Sequence, residues 1–158
     1  MTFDDAFKIV ISHEGAHSNH RADPGGETMY GITIAVARRQ GYMGEMRELT
    51  LDVAQSIYRR QYWDAVQADA LPLTVRYAVF DAAVNSGVAQ SVRWLQRAAG
   101  VDDDAVIGPA TLAAVHAADP RDLVRRVIGH RLTAMTNMSG WQVFSRGWAK
   151  RIGSLLVS

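Results

Sequence analysis

Helix starts and stops punctuate this chain so regularly that it can fold only as an assembly of short helices. Thr2, Thr33 and Thr50 stand where N-cap hydroxyls belong, Pro72, Pro109 and Pro120 where first-turn prolines belong, and Asp119 caps the helix opened by Pro120. Gly15, Gly41, Gly87 and Gly100 close the segments between them. Inside these marks the apolar residues keep helical spacing. Phe3, Phe7, Val10 and Ile11 form one stripe, and Val53 and Ile57, with Tyr58 and Tyr62, face inward on another. The segment from Pro72 through Val75, Val79, Phe80 and Val84 is apolar around much of its circumference, which predicts the central buried helix. Further helices are expected over residues 90–99 and from Trp141 to Leu155.

One stretch breaks this pattern. Residues 16–31 are rich in Gly, Asn, Asp and Pro and read as a loop or small hairpin, with Tyr30-Gly31-Ile32 as a short strand. A softer interruption falls near residues 87–103, where Gly87, Gly100 and the Asp102-Asp103-Asp104 run interrupt the periodicity. Two regions follow, residues 1–88 and residues 89–158, packed together because no linker separates them. The expected class is mainly α, a helical bundle around a central buried helix with a small β-hairpin lobe.

At 158 residues and 48% hydrophobic, the chain can bury a real core, and with no cysteine that core must hold by packing alone. A net charge of +1 gives no general bias toward nucleic acid or membrane. The charge is uneven, however: residues 120–158 hold seven bases against Asp122 alone. Such a tail attracts polyanions or is simply a solvated face. No basic n-region opens the chain and no apolar run is long enough to span a bilayer, so the expectation is synthesis in the cytoplasm without a signal peptide and without membrane insertion.

The hairpin region carries the chemistry. Glu14 stands at the end of the first helix, where the negative end of the macrodipole and partial burial both raise a carboxyl's pKa, as a general acid near neutral pH requires. Asp23 precedes Pro24-Gly25-Gly26, which is good turn chemistry and also a way to hold a second carboxylate in an extended conformation, with Thr28 close behind. Tyr30 could stack on a sugar face or sit at the core edge. Asn85 could donate to and accept from an N-acetyl group, or cap its helix beside Gly87. His13, His17 and His20 straddle a helix end and a loop with no thiols and no second acidic cluster, a poor metal set that is better placed to tune pH dependence. Asp102, Asp103 and Asp104 lack the alternate-residue spacing of a calcium loop and read as a solvated turn. Of Trp63, Trp94, Trp141 and Trp148, more are expected in the core than at a ligand.

Glu14-Gly15-Ala16, Asp23-Pro24-Gly25-Gly26-Glu27-Thr28 and Tyr30-Gly31-Ile32-Thr33 resemble the signature of glycoside hydrolase family 108, phage endolysins and related bacterial muramidases with a lysozyme-like fold. The likeness continues through Asp81-Ala82-Ala83-Val84-Asn85-Ser86-Gly87 and Leu95-Gln96-Arg97-Ala98-Ala99-Gly100. Ile107-Gly108-Pro109-Ala110-Thr111-Leu112-Ala113-Ala114-Val115 and Gly147-Trp148-Ala149-Lys150-Arg151 resemble that family's peptidoglycan-binding C-terminal region. Two departures stand out. Ala16 replaces a second glycine, and Ala105 follows Asp104 where the family usually has Asp-Gly.

The resemblance implies a peptidoglycan hydrolase that cuts the β-1,4 bond between N-acetylmuramic acid and N-acetylglucosamine without metal or cofactor. Glu14 would be the general acid, Asp23 the base or electrostatic stabiliser and Thr28 the group that orients water, with inversion as the outcome; Tyr30 and Asn85 would touch the sugars. It further implies a monomer that acts on peptidoglycan in the periplasm or cell wall, has no nucleic-acid partner, and depends on a holin or similar pore for release. Two rivals remain. A lytic transglycosylase needs only the glutamate, and a non-catalytic wall-binding module would use the basic C-terminal region.

Overall fold

The computed structural model describes residues 1–13, 17–18 and 26–156. Glu14 and Asp23, with the helix end and turn expected around them, lie outside the described residues, as do Ala16 and His20. The chain forms two compact units, Thr2–Asp64 and Met1 with Ala65–Ser158.

The first unit opens with helix α1, Phe3–His13. Its start is the expected cap: the Asp5 N–H donates to the Thr2 hydroxyl at 3.2 Å, and the Thr2 N–H donates back to the Asp5 carboxylate at 3.2 Å. The Thr2 hydroxyl also holds the Asp5 carboxyl below its ordinary pKa. Phe3, Phe7 and Val10 of the expected stripe are buried, with Ala6 beside them, while Ile11 is only half-buried. Strands β1 (His17–Ser18), β2 (Thr28–Met29) and β3 (Ile32–Thr33) form an antiparallel sheet in that order.

The strand expected over Tyr30-Gly31-Ile32 holds only at Ile32. Met29 pairs with Ile32, so Tyr30 and Gly31 are the two-residue turn, at φ of 52° and 73°. Two successive positive φ values match the twist of a tight hairpin, and that twist overrides tyrosine's preference for extended backbone. The Tyr58 hydroxyl donates to the Tyr30 carbonyl at 3.0 Å and braces this strained residue.

Helix α2 (Ile34–Arg39) is capped by the Thr33 hydroxyl, which accepts from the Val36 N–H. Helix α3 (Leu51–Tyr58) is capped in the same way by Thr50, which accepts from the Val53 N–H. Beyond Tyr58 the helix widens into one π turn, Arg59–Trp63, with the Asp64 N–H donating to the Arg59 carbonyl at 2.9 Å. The extra residue turns Trp63, rather than the expected Tyr62, fully inward. The core of this unit is therefore aromatic. Phe3 meets Trp63 edge-on at 5.5 Å between ring centres and Phe7 meets Tyr58 edge-on at 5.4 Å, the geometry ring quadrupoles favour.

The second unit is built on helix α4, Leu73–Ser86, which buries Val75, Tyr77, Ala78, Val79, Phe80, Asp81, Ala82 and Ala83. It is the central helix the sequence predicts. Pro72 occupies the N-cap, one residue before the expected first-turn position. Gly87 alone, at φ 85°, separates α4 from helix α5, Val88–Ala99. Helices α6 (Pro109–Ala117) and α7 (Pro120–Thr136) carry proline in the first turn, and helix α8 spans Trp141–Leu156. Helices α5 and α7 both pack on α4, and α8 packs on α7. Buried cross-links fix the layers: the Ser91 hydroxyl on α5 donates to the Val79 carbonyl on α4 at 2.7 Å.

The Asp102-Asp103-Asp104 turn is more than a solvated loop. The buried Gln96 side chain donates to the Asp104 carboxylate at 2.7 Å and accepts from the Ala105 N–H at 2.9 Å, while Asp104 also accepts from the Val106 N–H at 2.8 Å. These bonds, the Gln96 amide first, hold the Asp104 carboxyl below its ordinary pKa. They also clamp Ala105 at φ 67°, where an L-residue is strained.

Candidate active site

The hairpin of the first unit holds two of the described site residues, Thr28 and Tyr30. Thr28 lies on β2, half-buried, with Ser18 on one side and Thr33 on the other as its cross-strand partners. Tyr30 follows in the turn, also half-buried. The hairpin thus brings Thr28 and Tyr30 onto one short ribbon. Asn85 belongs to the second unit, where it is the penultimate residue of α4 and donates its side-chain amide to the Asp81 carbonyl at 2.7 Å. Gly87, not Asn85, is the C-cap.

Next to Thr28 the structure shows a pair that joins His17, expected only to tune pH dependence, to Glu27, to which sequence reading gave no role. Glu27 Oε1 lies 2.7 Å from Nε2 of His17, across the β1–β2 ribbon. The Glu27 backbone carbonyl accepts from the Ile34 N–H at 2.9 Å and so joins the ribbon to the start of α2. With side chains 35% and 23% exposed, His17 and Glu27 are open enough to meet a ligand and shielded enough to hold a fixed geometry. The imidazole donates to the carboxylate and, when protonated, becomes its counter-charge. The signal was present in the sequence, since Glu27 directly precedes Thr28. Its histidine partner could be assigned only once the strands were in register.

Among the described residues no cluster of three side chains could ligate a metal; of the histidine set, the His13 side chain and all of His20 lie outside the described residues. The basic C-terminal region is less free than its composition implies. Arg131 and Arg151 both bind Asp81, and Arg125 and Arg126 both reach Asp122, at 3.2 and 3.5 Å. The tryptophans divide evenly: Trp63 and Trp94 are core, while Trp141 and Trp148 are only half-buried.

Comparison with known proteins places these features in context. Residues 7–87 match the family described as Glycosyl hydrolase 108, and residues 90–153 match the one described as Predicted Peptidoglycan domain. The solved structure described as that of Brucella abortus SagA is 36% identical, with a TM-score of 0.89 over 98% of this chain and 91% of that one. No curated protein sequence matches.

Proposed function

Because the chain belongs to glycosyl hydrolase family 108 and is a mainly helical, lysozyme-like peptidoglycan hydrolase, we propose that it is a muramidase that cuts the β-1,4 bond between N-acetylmuramic acid and N-acetylglucosamine, with Glu14 as general acid. The match over residues 7–87 carries this reading, since that range contains Glu14, Asp23 and Thr28. Glu14 gives its proton to the leaving oxygen as the glycosidic bond breaks. Asp23 removes a proton from a water held by Thr28, and that water attacks the anomeric carbon from the opposite face, which inverts it. Two carboxyls about 6.5 to 9.5 Å apart would leave room for the water.

The hairpin supports the assignment of Thr28. Its place on β2, beside the Glu27–His17 pair, fixes a hydroxyl on a braced ribbon rather than a free loop. In the same reading Tyr30 and Asn85 touch the sugars, residues 1–88 catalyse and residues 89–158 hold the wall, in line with the limits of the two family matches.

The experiment is Glu14→Gln assayed for reducing-sugar release from purified peptidoglycan. General-acid loss should cut the rate by roughly 10²- to 10⁴-fold while the fold survives. An unchanged rate removes Glu14 from the mechanism. Product mass distinguishes the transglycosylase alternative, whose 1,6-anhydro ends are one water lighter than the hydrolytic product.

A further inference from the structure

Helix α8 is anchored at one end only. Ile152 and Leu155 are buried and Arg151 reaches Asp81, whereas no residue from Trp141 to Lys150 is buried. Yet Trp141, Phe144 and Trp148 continue the same helical face, at spacings of three and four residues, as Ile152 and Leu155. A stripe that serves as core at its far end is thus uncovered at its start, with Phe144 58% exposed.

The three rings form a preset surface. Trp148 lies 6.1 Å from Trp141 and 6.0 Å from Phe144, centre to centre. They close over Gly140, where an added Cβ would come within 3.1 Å of the Phe144 ring and 3.4 Å of Trp148. Rings held by one another lose little freedom on binding.

We propose that Trp141, Phe144 and Trp148 form a stacking platform for the glycan strand of peptidoglycan, a holding site separate from the hairpin chemistry. Pyranose rings offer flat C–H faces that pack on aromatic faces, and a repeating strand can meet several rings at once. The strand also carries carboxylates, on its stem peptides and on those muramyl lactyl groups that bear no peptide. No acidic side chain occurs between Leu123 and Ser158, so nothing on this region of α7 or on α8 repels them, and Arg146 and Lys150 stand exposed on α8. The platform falls inside residues 90–153, where the family match predicts a peptidoglycan domain without saying which residues bind. A bilayer fits less well, because the uncovered stripe covers only about two turns before the helix enters the core.

This inference rests on peptidoglycan being the substrate, and its test reads binding rather than turnover. Retention of the full chain on purified sacculi, carried as Glu14→Gln and measured in the cold, is compared across variants. Phe144→Ala and Trp148→Ala should each weaken retention roughly tenfold. Phe144→Tyr should restore it, and Val143→Ser, altering a residue 75% exposed on the other side of the helix, should leave it intact. Thermal melting checks the fold, and should Trp148→Ala unfold, the more exposed Phe144 decides alone. Unchanged retention in a folded Phe144→Ala protein overturns the proposal. So does a loss confined to vesicles of anionic phospholipid with sacculus binding unaffected. Failure of the Glu14 assignment would show in sugar release and leave this measurement standing.

Discussion

Asp81 Oδ2 lies 2.6 Å from Arg131 Nη1, with the two side chains 0% and 1% exposed, and Asp81 Oδ1 receives Arg151 Nε at 2.9 Å. One buried carboxylate on α4 thus joins α7 and α8. A buried ion pair is costly to desolvate, but removing one partner is worse, because the remaining charge stays buried alone.

Asp81→Asn therefore leaves Arg131 and Arg151 without their counter-charge and should cost about 3 to 5 kcal/mol. Urea unfolding measures it. Arg131→Met should cost less, since Arg151 still neutralises Asp81 and the interior gains an apolar chain of similar length. Equal losses for the two variants would refute this ordering.

Tyr77, one turn before Asp81 on α4, is buried, and burial followed by the nearby Asp81 charge pushes its hydroxyl up to about 12. The folded state then holds the proton more tightly than the unfolded chain, where the value is about 10. Stability is intact below pH 10 and falls as pH rises from about 10 to 12, because there the unfolded state alone has ionised. Tyr77→Phe should flatten the loss of urea stability across that window. A slope identical to that of the parent would show that other groups cause it.

Ala105 keeps φ at 67° because Gln96 and Asp104 clamp the turn around it. Glycine adopts that conformation without the Cβ penalty, though it gains freedom in the unfolded chain. The net effect of Ala105→Gly should be a gain of up to about 1 kcal/mol, read as a higher urea midpoint at unchanged m-value. A lower midpoint would mean the alanine is unstrained.

The His17–Glu27 pair should act as one unit in positioning Thr28. Glu27→Ala and His17→Ala should each reduce kcat on peptidoglycan roughly tenfold, the worth of one charge-assisted hydrogen bond. The double variant should be little worse than either single one. Additive losses would show that the two side chains work independently.

The hairpin that carries the candidate site was partly legible in advance. Thr28 stood out as a hydroxyl close behind Glu14 and Asp23 and Tyr30 as an aromatic able to stack on a sugar, but the strand expected through Tyr30 became a turn once Met29 paired with Ile32. Glu27 stood in the same stretch without a role until β1, pairing His17 with Met29, brought the imidazole diagonally within 2.7 Å of its carboxylate. Asn85 was weighed as a cap and is instead a helical residue bonded one turn back.

The sequence by itself determined where helices begin and end, because a cap acts over three or four residues: Thr2, Thr33, Thr50 and Asp119 each bind an N–H three positions on. It also determined the central helix, because burial on most faces requires apolar residues on most faces. Only the tertiary structure decided what the charges and aromatics do. Asp81 finds its arginines 50 and 70 residues away, Trp63 turns inward through a π turn, and the Trp148 stripe stays uncovered where α8 leaves the core. Those outcomes depend on which distant surfaces meet, and a local pattern carries no record of its partner.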